Sequence, residues 1–443
     1  MSNKENIQKR LYLNASWLFG GKTASGIFTA IQTIVVARLL GVSDYGLLTL
    51  VIAYISILNM FFDLKVWETA TKYIGTYLEQ GEMDKTRSMI KLSYLLDIGS
   101  GIIAFIIAIL SAKLISQYVI HSPDAYVLIW IFSISLFIDT ANSTSDAILR
   151  VFDRFKTIAF INSFQKFFRL LIVVGALYAG LGIKGVLYGF IIASFVGFAL
   201  RMWAVVKTLN ENNLGNWLDA KISLVKDEWK GIAWFLGNTS FIATLKTGNE
   251  KYLGVMILGF FAGKDAVAFY KIASSVASII NKVTDPLYEA IYPELVKFTT
   301  SNAIKDFKKM IKSSTKALVL IIIPAAVIMI VFAEPIIKIV FGNEYLPATN
   351  ALRILAAAVL ILKLTFWINP ALLSLNRPGL RTILGLISTA FYLVLMLVLS
   401  PPYSYIGAAF AFLGYAILRS GLSFKFFSDA LRDNKIKSDT PAS

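Results

Sequence analysis

The sequence predicts an all-α membrane protein of about twelve transmembrane helices in two six-helix lobes. Three observations predict it. Apolar stretches long enough to cross a bilayer recur along the chain, Lys and Arg crowd into every second connection between them, and the second half repeats the first at a nearly constant offset.

The first lobe reads as spans near 13–40, 45–64, 92–114, 125–149, 155–179 and 183–206. The second reads as spans near 232–261, 266–293, 317–333, 348–375, 383–399 and 406–427. Each is about as long as the roughly 20 residues needed to cross a bilayer core, and several have room to tilt. An unbonded backbone is so costly in lipid that these stretches must be helical.

Taken in order, the cations alternate. Lys4, Lys9 and Arg10 precede the first span, and Lys65, Lys72, Lys85 and Arg87 follow the second. Arg150, Arg154 and Lys156 follow the fourth, then Lys207, Lys221, Lys226 and Lys230 the sixth. The same side continues with Lys297, Lys305, Lys308, Lys309 and Lys312, then Arg377 and Arg381, and finally Arg432, Lys435 and Lys437. The other connections hold little beyond Arg38, Lys113, Lys184, Lys264 and Lys338. The positive-inside rule then places both termini in the cytoplasm, with an even number of spans, most simply in a plasma membrane.

The longest polar gap, 210–230, divides the spans six and six, giving lobes at 1–209 and 231–432 and a tail at 433–443. Within the gap Leu214, Trp217, Leu218, Ile222, Val225 and Trp229 recur at three- and four-residue spacing among Lys221, Lys226 and Lys230, the pattern of an amphipathic helix lying on the cytoplasmic membrane surface. Across it the halves echo each other. Trp17-Leu18-Phe19-Gly20 resembles Trp234-Phe235-Leu236-Gly237, and Leu40-Gly41-Val42-Ser43-Asp44 faces Phe261-Ala262-Gly263-Lys264-Asp265. Asp153-Arg154 matches Asn376-Arg377, and Lys184-Gly185-Val186 matches Ile406-Gly407-Ala408. Copies with an even number of spans enter the membrane in the same sense, so an axis along the membrane normal and a cavity at their interface are expected. Only Pro123 precedes the gap, whereas Pro286, Pro293, Pro324 and Pro370 fall within or at the ends of later spans, so the bent helices are expected in the second lobe.

Composition narrows the function. With 57% hydrophobic and 16% charged residues the chain has ample apolar material for a bundle, and the net charge of +16 sits in loops where topology and anionic lipid account for it, so nucleic-acid binding is not expected. There are no cysteines, which excludes disulfides and thiolate chemistry, and the single histidine, His121, falls in a short outer connection. Lys22 interrupts the first apolar run, so that run reads as a span rather than a removable signal. Neither metal nor cofactor is expected.

The stretch from Ala37 through Arg38-Leu39-Leu40-Gly41-Val42-Ser43-Asp44-Tyr45 to Gly46 resembles the signature of polysaccharide transporters, the Wzx-like oligosaccharide flippases of the multidrug/oligosaccharidyl-lipid/polysaccharide exporter superfamily. Ile291-Tyr292-Pro293-Glu294-Leu295, then Phe341-Gly342-Asn343-Glu344-Tyr345, then Leu375-Asn376-Arg377-Pro378 follow in that family's order. The resemblance implies a two-lobed, MATE-like fold that moves a polyprenyl-(pyro)phosphate-linked oligosaccharide from the inner to the outer leaflet. Its motifs are loop and packing features and carry over no binding residue.

Charges inside spans supply the candidates, since each costs roughly 2.5–3.5 kcal/mol on insertion scales. In the first lobe Asp139, Asn142, Ser143, Asp146 and Arg150 stripe the fourth span, and Asn162, Lys166 and Arg169 the fifth. Mutual pairing of Asp139, Asp146, Lys166 and Arg169 within the lobe is the expectation. Lys22, Lys251 and Lys363 have no local partner in the sequence, and with Lys246 and Lys282 they are the candidate cations of a wet lumen suited to a diphosphate head group. Snorkelling or pairing across helices is the alternative for each. Asp63, Asp97, Asp285 and Glu289 are candidates for a coupling proton or sodium ion, the last two sharing a face at i,i+4 beside Lys282.

Three function classes compete. A flippase of lipid-linked oligosaccharide, working as a monomer, fits the cations and the resemblance. An ion-coupled drug or small-molecule exporter would favour an apolar, acid-dominated cavity. An enzyme such as a glycan polymerase would need catalytic groups in a substantial outer loop, which the short connections do not offer, and no GxxxxGK[ST] loop is present for ATP.

Overall fold

The computed structural model describes residues 3–64, 66–247, 252–301 and 303–439, and among them the chain is helical almost throughout. In chain order the helices are α1 (Asn3–Phe62), α2 (Val66–Glu79), α3 (Met83–Tyr118), α4 (Ala125–Val151), α5 (Phe155–Tyr178), α6 (Gly182–Glu211) and α7 (Trp229–Thr247). They continue as α8 (Gly254–Ala277), α9 (Ile279–Thr300), α10 (Ile304–Val331), α11 (Ala333–Phe341), α12 (Ala348–Leu364), α13 (Ile368–Ser374) and α14 (Pro378–Asp439). Large apolar side chains stand bare on their outer faces, Leu110 at 74% and Leu320 at 75% exposure among them. A water-soluble bundle would bury such residues; a bilayer covers them.

The expected spans map onto these helices once the breaks are read. Spans one and two are the single run α1, broken at Gly41, and spans eleven and twelve are α14, broken at Ser404. Gly41 sits at φ 75°, ψ 177°, and Gly263 breaks α8 at φ 78°, ψ 179°. That region of backbone space is essentially closed to any residue with a Cβ, so glycine is required at both.

These two glycines are 222 positions apart, and the other junctions repeat the interval. His121 pairs with Gly342, Asp153 with Asn376 and Gly182 with Ser404, at offsets of 221, 223 and 222, every one at positive φ. The duplication seen in the residues is therefore written into the backbone. The halves differ in their breaks, though Pro286, Pro293 and Pro324 lie within continuous helices and, of the four prolines, only Pro370 lies beside one. In the first half α3 and α4 run unbroken, while their counterparts in the second are each split, into α10 and α11 and into α12 and α13.

By contact the chain forms two compact units, 1–248 and 249–443. The division falls after α7 rather than in the polar gap, because the gap and α7 pack onto the first unit. The amphipathic α-helix expected at 210–230 is not formed. In its place stand two short 3₁₀ turns, Trp217–Asp219 and Ile222–Glu228, separated by extended backbone at Ala220 and Lys221. The reason is that α3 satisfies the segment's backbone. Arg87 donates to Asn213 O at 2.6 Å, Lys91 to Ala220 O at 3.0 Å and Ser88 to Lys221 O at 3.0 Å. Leu214, Trp217 and Val225 are buried in a core shared with Val66, Ile74, Met89 and Leu209, and the Trp217 ring lies 5.1 Å from that of Tyr94. The Tyr77 hydroxyl donates to Glu228 Oε2 at 2.7 Å, and Lys85 reaches the same carboxylate at 3.4 Å. Burial first, then Glu228, pushes the Tyr77 hydroxyl up, so it remains a donor. Of the apolar stripe only Leu218 and Trp229 stay exposed, with Leu224 beside them, to meet a membrane surface.

Candidate functional site

In the second unit a cavity of about 460 Å³ opens beside the break between α12 and α13. Pro370 has no N–H for the Phe366 carbonyl, which favours ending α12 early. Thr365 then turns the chain, its Oγ1 donating back to Leu362 O at 3.1 Å. Ser420 of α14 donates to the Ile361 carbonyl at 3.2 Å, so the interrupted backbone stays bonded. A discontinuous helix at membrane depth, lining a cavity, is where polar chemistry is sustainable.

Lys363 in the last turn of α12 and Arg419 of α14 both line this cavity, joined by Asn281, Thr284, Asn369 and Tyr415. The break explains how a lysine survives there, because its ammonium sits at the negative end of the α12 dipole. Arg419 donates from Nη1 to the Tyr415 hydroxyl at 2.9 Å and lies 5.6 Å over that ring. The Asn369 side-chain oxygen is buried without a hydrogen-bond partner among the described residues. Two cations and several amide and hydroxyl groups around one space suit an anionic, hydroxyl-rich ligand.

The first unit treats its charges differently. Arg201 on α6 is only 4% exposed and donates to Asp146 Oδ1 at 3.1 Å, Gln165 Oε1 at 3.1 Å and Gly197 O at 3.1 Å, and also to Asn162 Oδ1. Asp139 accepts from Ser194 and lies within electrostatic reach of Lys166, Arg201 and Arg169. Arg169 donates to Gln32 Oε1 at 2.8 Å and stacks 4.6 Å over Phe190. Asp139, Lys166 and Arg169 thus share one cluster, as the hairpin of spans four and five suggests, whereas Asp146 takes Arg201 as its partner. Asp97 is buried and accepts from both the backbone N–H (3.0 Å) and the hydroxyl (2.6 Å) of Thr144, with Asp63 in electrostatic range.

Residues 35–350 match the family described as polysaccharide biosynthesis protein. The chain belongs to this family. Inner membrane protein YghQ of Escherichia coli K12 is 23% identical over 335 residues, which is 76% of this chain and 93% of that protein. Agl15 of Haloferax volcanii, named as a probable low-salt glycan biosynthesis flippase, is 28% identical over 191 residues, covering 43% of this chain and only 40% of Agl15. A putative O-antigen transporter of E. coli K12 is 28% identical over 204 residues, less than half of either chain. Among solved structures, an inward-facing MATE family transporter of the MOP superfamily superposes with a TM-score of 0.76 at 13% identity, over 94% of this chain and 96% of that one. The lipid II flippase MurJ, inward closed, superposes at 0.72 with 16% identity, over 96% and 94%. The fold is MATE-like over nearly the whole chain, and the protein is a multi-pass membrane protein.

The family's motifs in this chain are packing features. Gly41 forms the first junction, and in Phe341-Gly342-Asn343-Glu344-Tyr345 the Phe341 and Tyr345 rings are buried 6.1 Å apart around Gly342 at φ 102°. The candidate lysines fare unequally. Lys363 lines the cavity. Lys22 lies on an exposed face of α1 in the first unit. Both take part in interactions with other groups of the protein. Lys251 lies outside the described residues, as do the side chains of Lys246 on α7 and of Lys282, Asp285 and Glu289 on α9.

Reading the sequence missed Arg201 and Arg419. Each sits toward one end of its span, where a cation reads as a snorkelling side chain. The signal for Arg201 was the polar stripe of Asn162 and Gln165 opposite it. For Arg419 no local pattern gave one.

Proposed function

We propose that this protein flips a polyprenyl-(pyro)phosphate-linked oligosaccharide from the inner to the outer leaflet by alternating access of the two lobes, 1–209 and 231–432, joined through 210–230. The observation that carries this reading is the pair Lys363 and Arg419 in one cavity at a helix break, chemistry suited to a phosphate beside sugar hydroxyls. The names of Agl15 and of the O-antigen transporter support it, although those matches cover under half of the relatives. Lys22, Lys246, Lys251 and Lys282 are proposed as further substrate-binding cations. Asp63 and Asp97, or Asp285 and Glu289, are proposed to take the coupling proton or sodium ion, in a chain that works as a monomer with both termini cytoplasmic. The exporter alternative expects an acid-dominated cavity, and among the described residues lining the second-unit cavity there is no carboxylate.

Reconstituted into liposomes, the protein should move a fluorescent polyprenyl-pyrophosphate oligosaccharide across the bilayer and leave cationic dyes untouched. Dye export without lipid flipping would sink the proposal in favour of the exporter. For orientation, single cysteines at Ser122 or Asn343 should react with an impermeant reagent outside intact cells, and those at Asp84 or Ser223 should not.

A further inference from the structure

We infer that one face of α10 is a binding surface for the headgroups of anionic phospholipids. Lys305, Lys309, Lys312 and Lys316 recur at four-, three- and four-residue spacing, and the same stripe continues as Leu320, Ile323, Val327 and Val331. All eight side chains are exposed, the four aliphatic ones at 75%, 41%, 48% and 60%. The opposite face, with Phe307, Ile311, Leu318 and Ile322, is buried within the unit. A single uncovered helix face therefore changes from cationic to aliphatic between Lys316 and Leu320, about 6 Å apart along the axis. That change is where a bilayer passes from headgroups to hydrocarbon. None of the four lysines has an ion-pair partner among the described residues.

The first half shows what happens when such a face is covered by protein. Subtracting 222 from Lys305, Lys309, Lys312 and Lys316 gives Met83, Arg87, Ile90 and Tyr94 on α3. Ile90 and Tyr94 are buried, Arg87 holds the Asn213 carbonyl, and Tyr94 stacks on Trp217 of the connecting segment. In α10 the equivalent positions are lysines facing outward, complementary to anionic headgroups rather than to a protein strap. Clustered lysines beside a membrane attract anionic lipid additively, and the attraction is screened by salt. The inference does not depend on what the protein transports.

The purified full-length chain in detergent is titrated with phosphatidylglycerol or phosphatidylcholine, and bound lipid is counted by native mass spectrometry. The wild type should retain phosphatidylglycerol preferentially, and high salt should abolish the preference. Replacing Lys305, Lys309, Lys312 and Lys316 by Gln should lower retention about tenfold or more, while replacing them by Arg should preserve it. The double change Lys312→Gln, Lys316→Gln should show an intermediate loss and serves if the fourfold variant folds poorly. Neutralising Lys207, Lys221, Lys226 and Lys230, which line no single cationic-to-aliphatic helix face, should lower retention much less. Equal retention of the two lipids, an equal loss in that control set, undiminished binding by the Gln variants, or displacement of the lipid by equimolar inorganic phosphate would each overturn the inference.

Discussion

The two halves share their junctions position for position at an offset near 222, yet they dispose of charge in opposite ways. In the first, Arg201 is sealed among Asp146, Asn162, Gln165 and the Gly197 carbonyl in unbroken helices. In the second, the position equivalent to Gly197 is Arg419, the helix equivalent to α4 is split, and Lys363 and Arg419 border an open cavity. One copy uses its charges to hold helices together. The other packs its helices largely through aromatic contacts and leaves Lys363 and Arg419 at a cavity wall, where they are proposed to meet a ligand. Duplication fixes the scaffold, and a proline with a few substitutions makes the two copies differ in where their charges lie.

The largest expected effect follows from the sealed network. Arg201→Leu removes the buried guanidinium that bonds Asn162, Gln165 and the Gly197 carbonyl and leaves the part-exposed Asp146 without its partner, a change that costs about 3 kcal/mol. The variant should lose most of its folded yield and unfold at a clearly lower temperature in detergent. Arg419→Gln should unfold like the wild type. Equal stability losses at 201 and 419 would erase the contrast between the halves.

Next come the duplicated breaks. Gly41→Val and Gly263→Val each force a Cβ into backbone space reserved for glycine, at about 1–3 kcal/mol. The two should destabilise by similar amounts in thermal unfolding. A tolerated Gly263→Val beside a damaging Gly41→Val would show that the junctions are no longer equivalent.

The smallest effect concerns the connecting segment. Glu228→Gln weakens the hydrogen bond from Tyr77 and the ion pair with Lys85 at a partly exposed site, which should cost about 1 kcal/mol or less. Proteolysis at 213–228 should accelerate modestly while the helices remain intact. Unchanged protection would mean that the Trp217 and Val225 packing alone holds the strap.

Much of this was legible in the residues. Apolar length and cation alternation mark the spans, the matched junction sequences mark the duplication, and Pro370 marks the end of α12, whereas Pro286, Pro293 and Pro324 lie within continuous helices. The connecting segment was misleading because helical spacing of apolar residues does not reveal that Arg87, Ser88 and Lys91 will take its carbonyls and that Trp217 will find Tyr94. Lys363 stood out because it interrupts an apolar span. Its partner Arg419 did not, because what makes it a lining group is the break in a different helix, at Thr365, and no local pattern around residue 419 encodes that.

The central claim is that Lys363 and Arg419 meet the anionic group of the cargo. It is tested most directly by flipping of a polyprenyl-pyrophosphate oligosaccharide in liposomes containing Lys363→Glu or Arg419→Glu, each first shown to unfold like the wild type. Loss of one charge-assisted hydrogen bond to phosphate, with repulsion added, should slow flipping at least about tenfold in both variants. Wild-type flipping by both well-folded variants would contradict the account and leave the second-unit cavity without a part in transport.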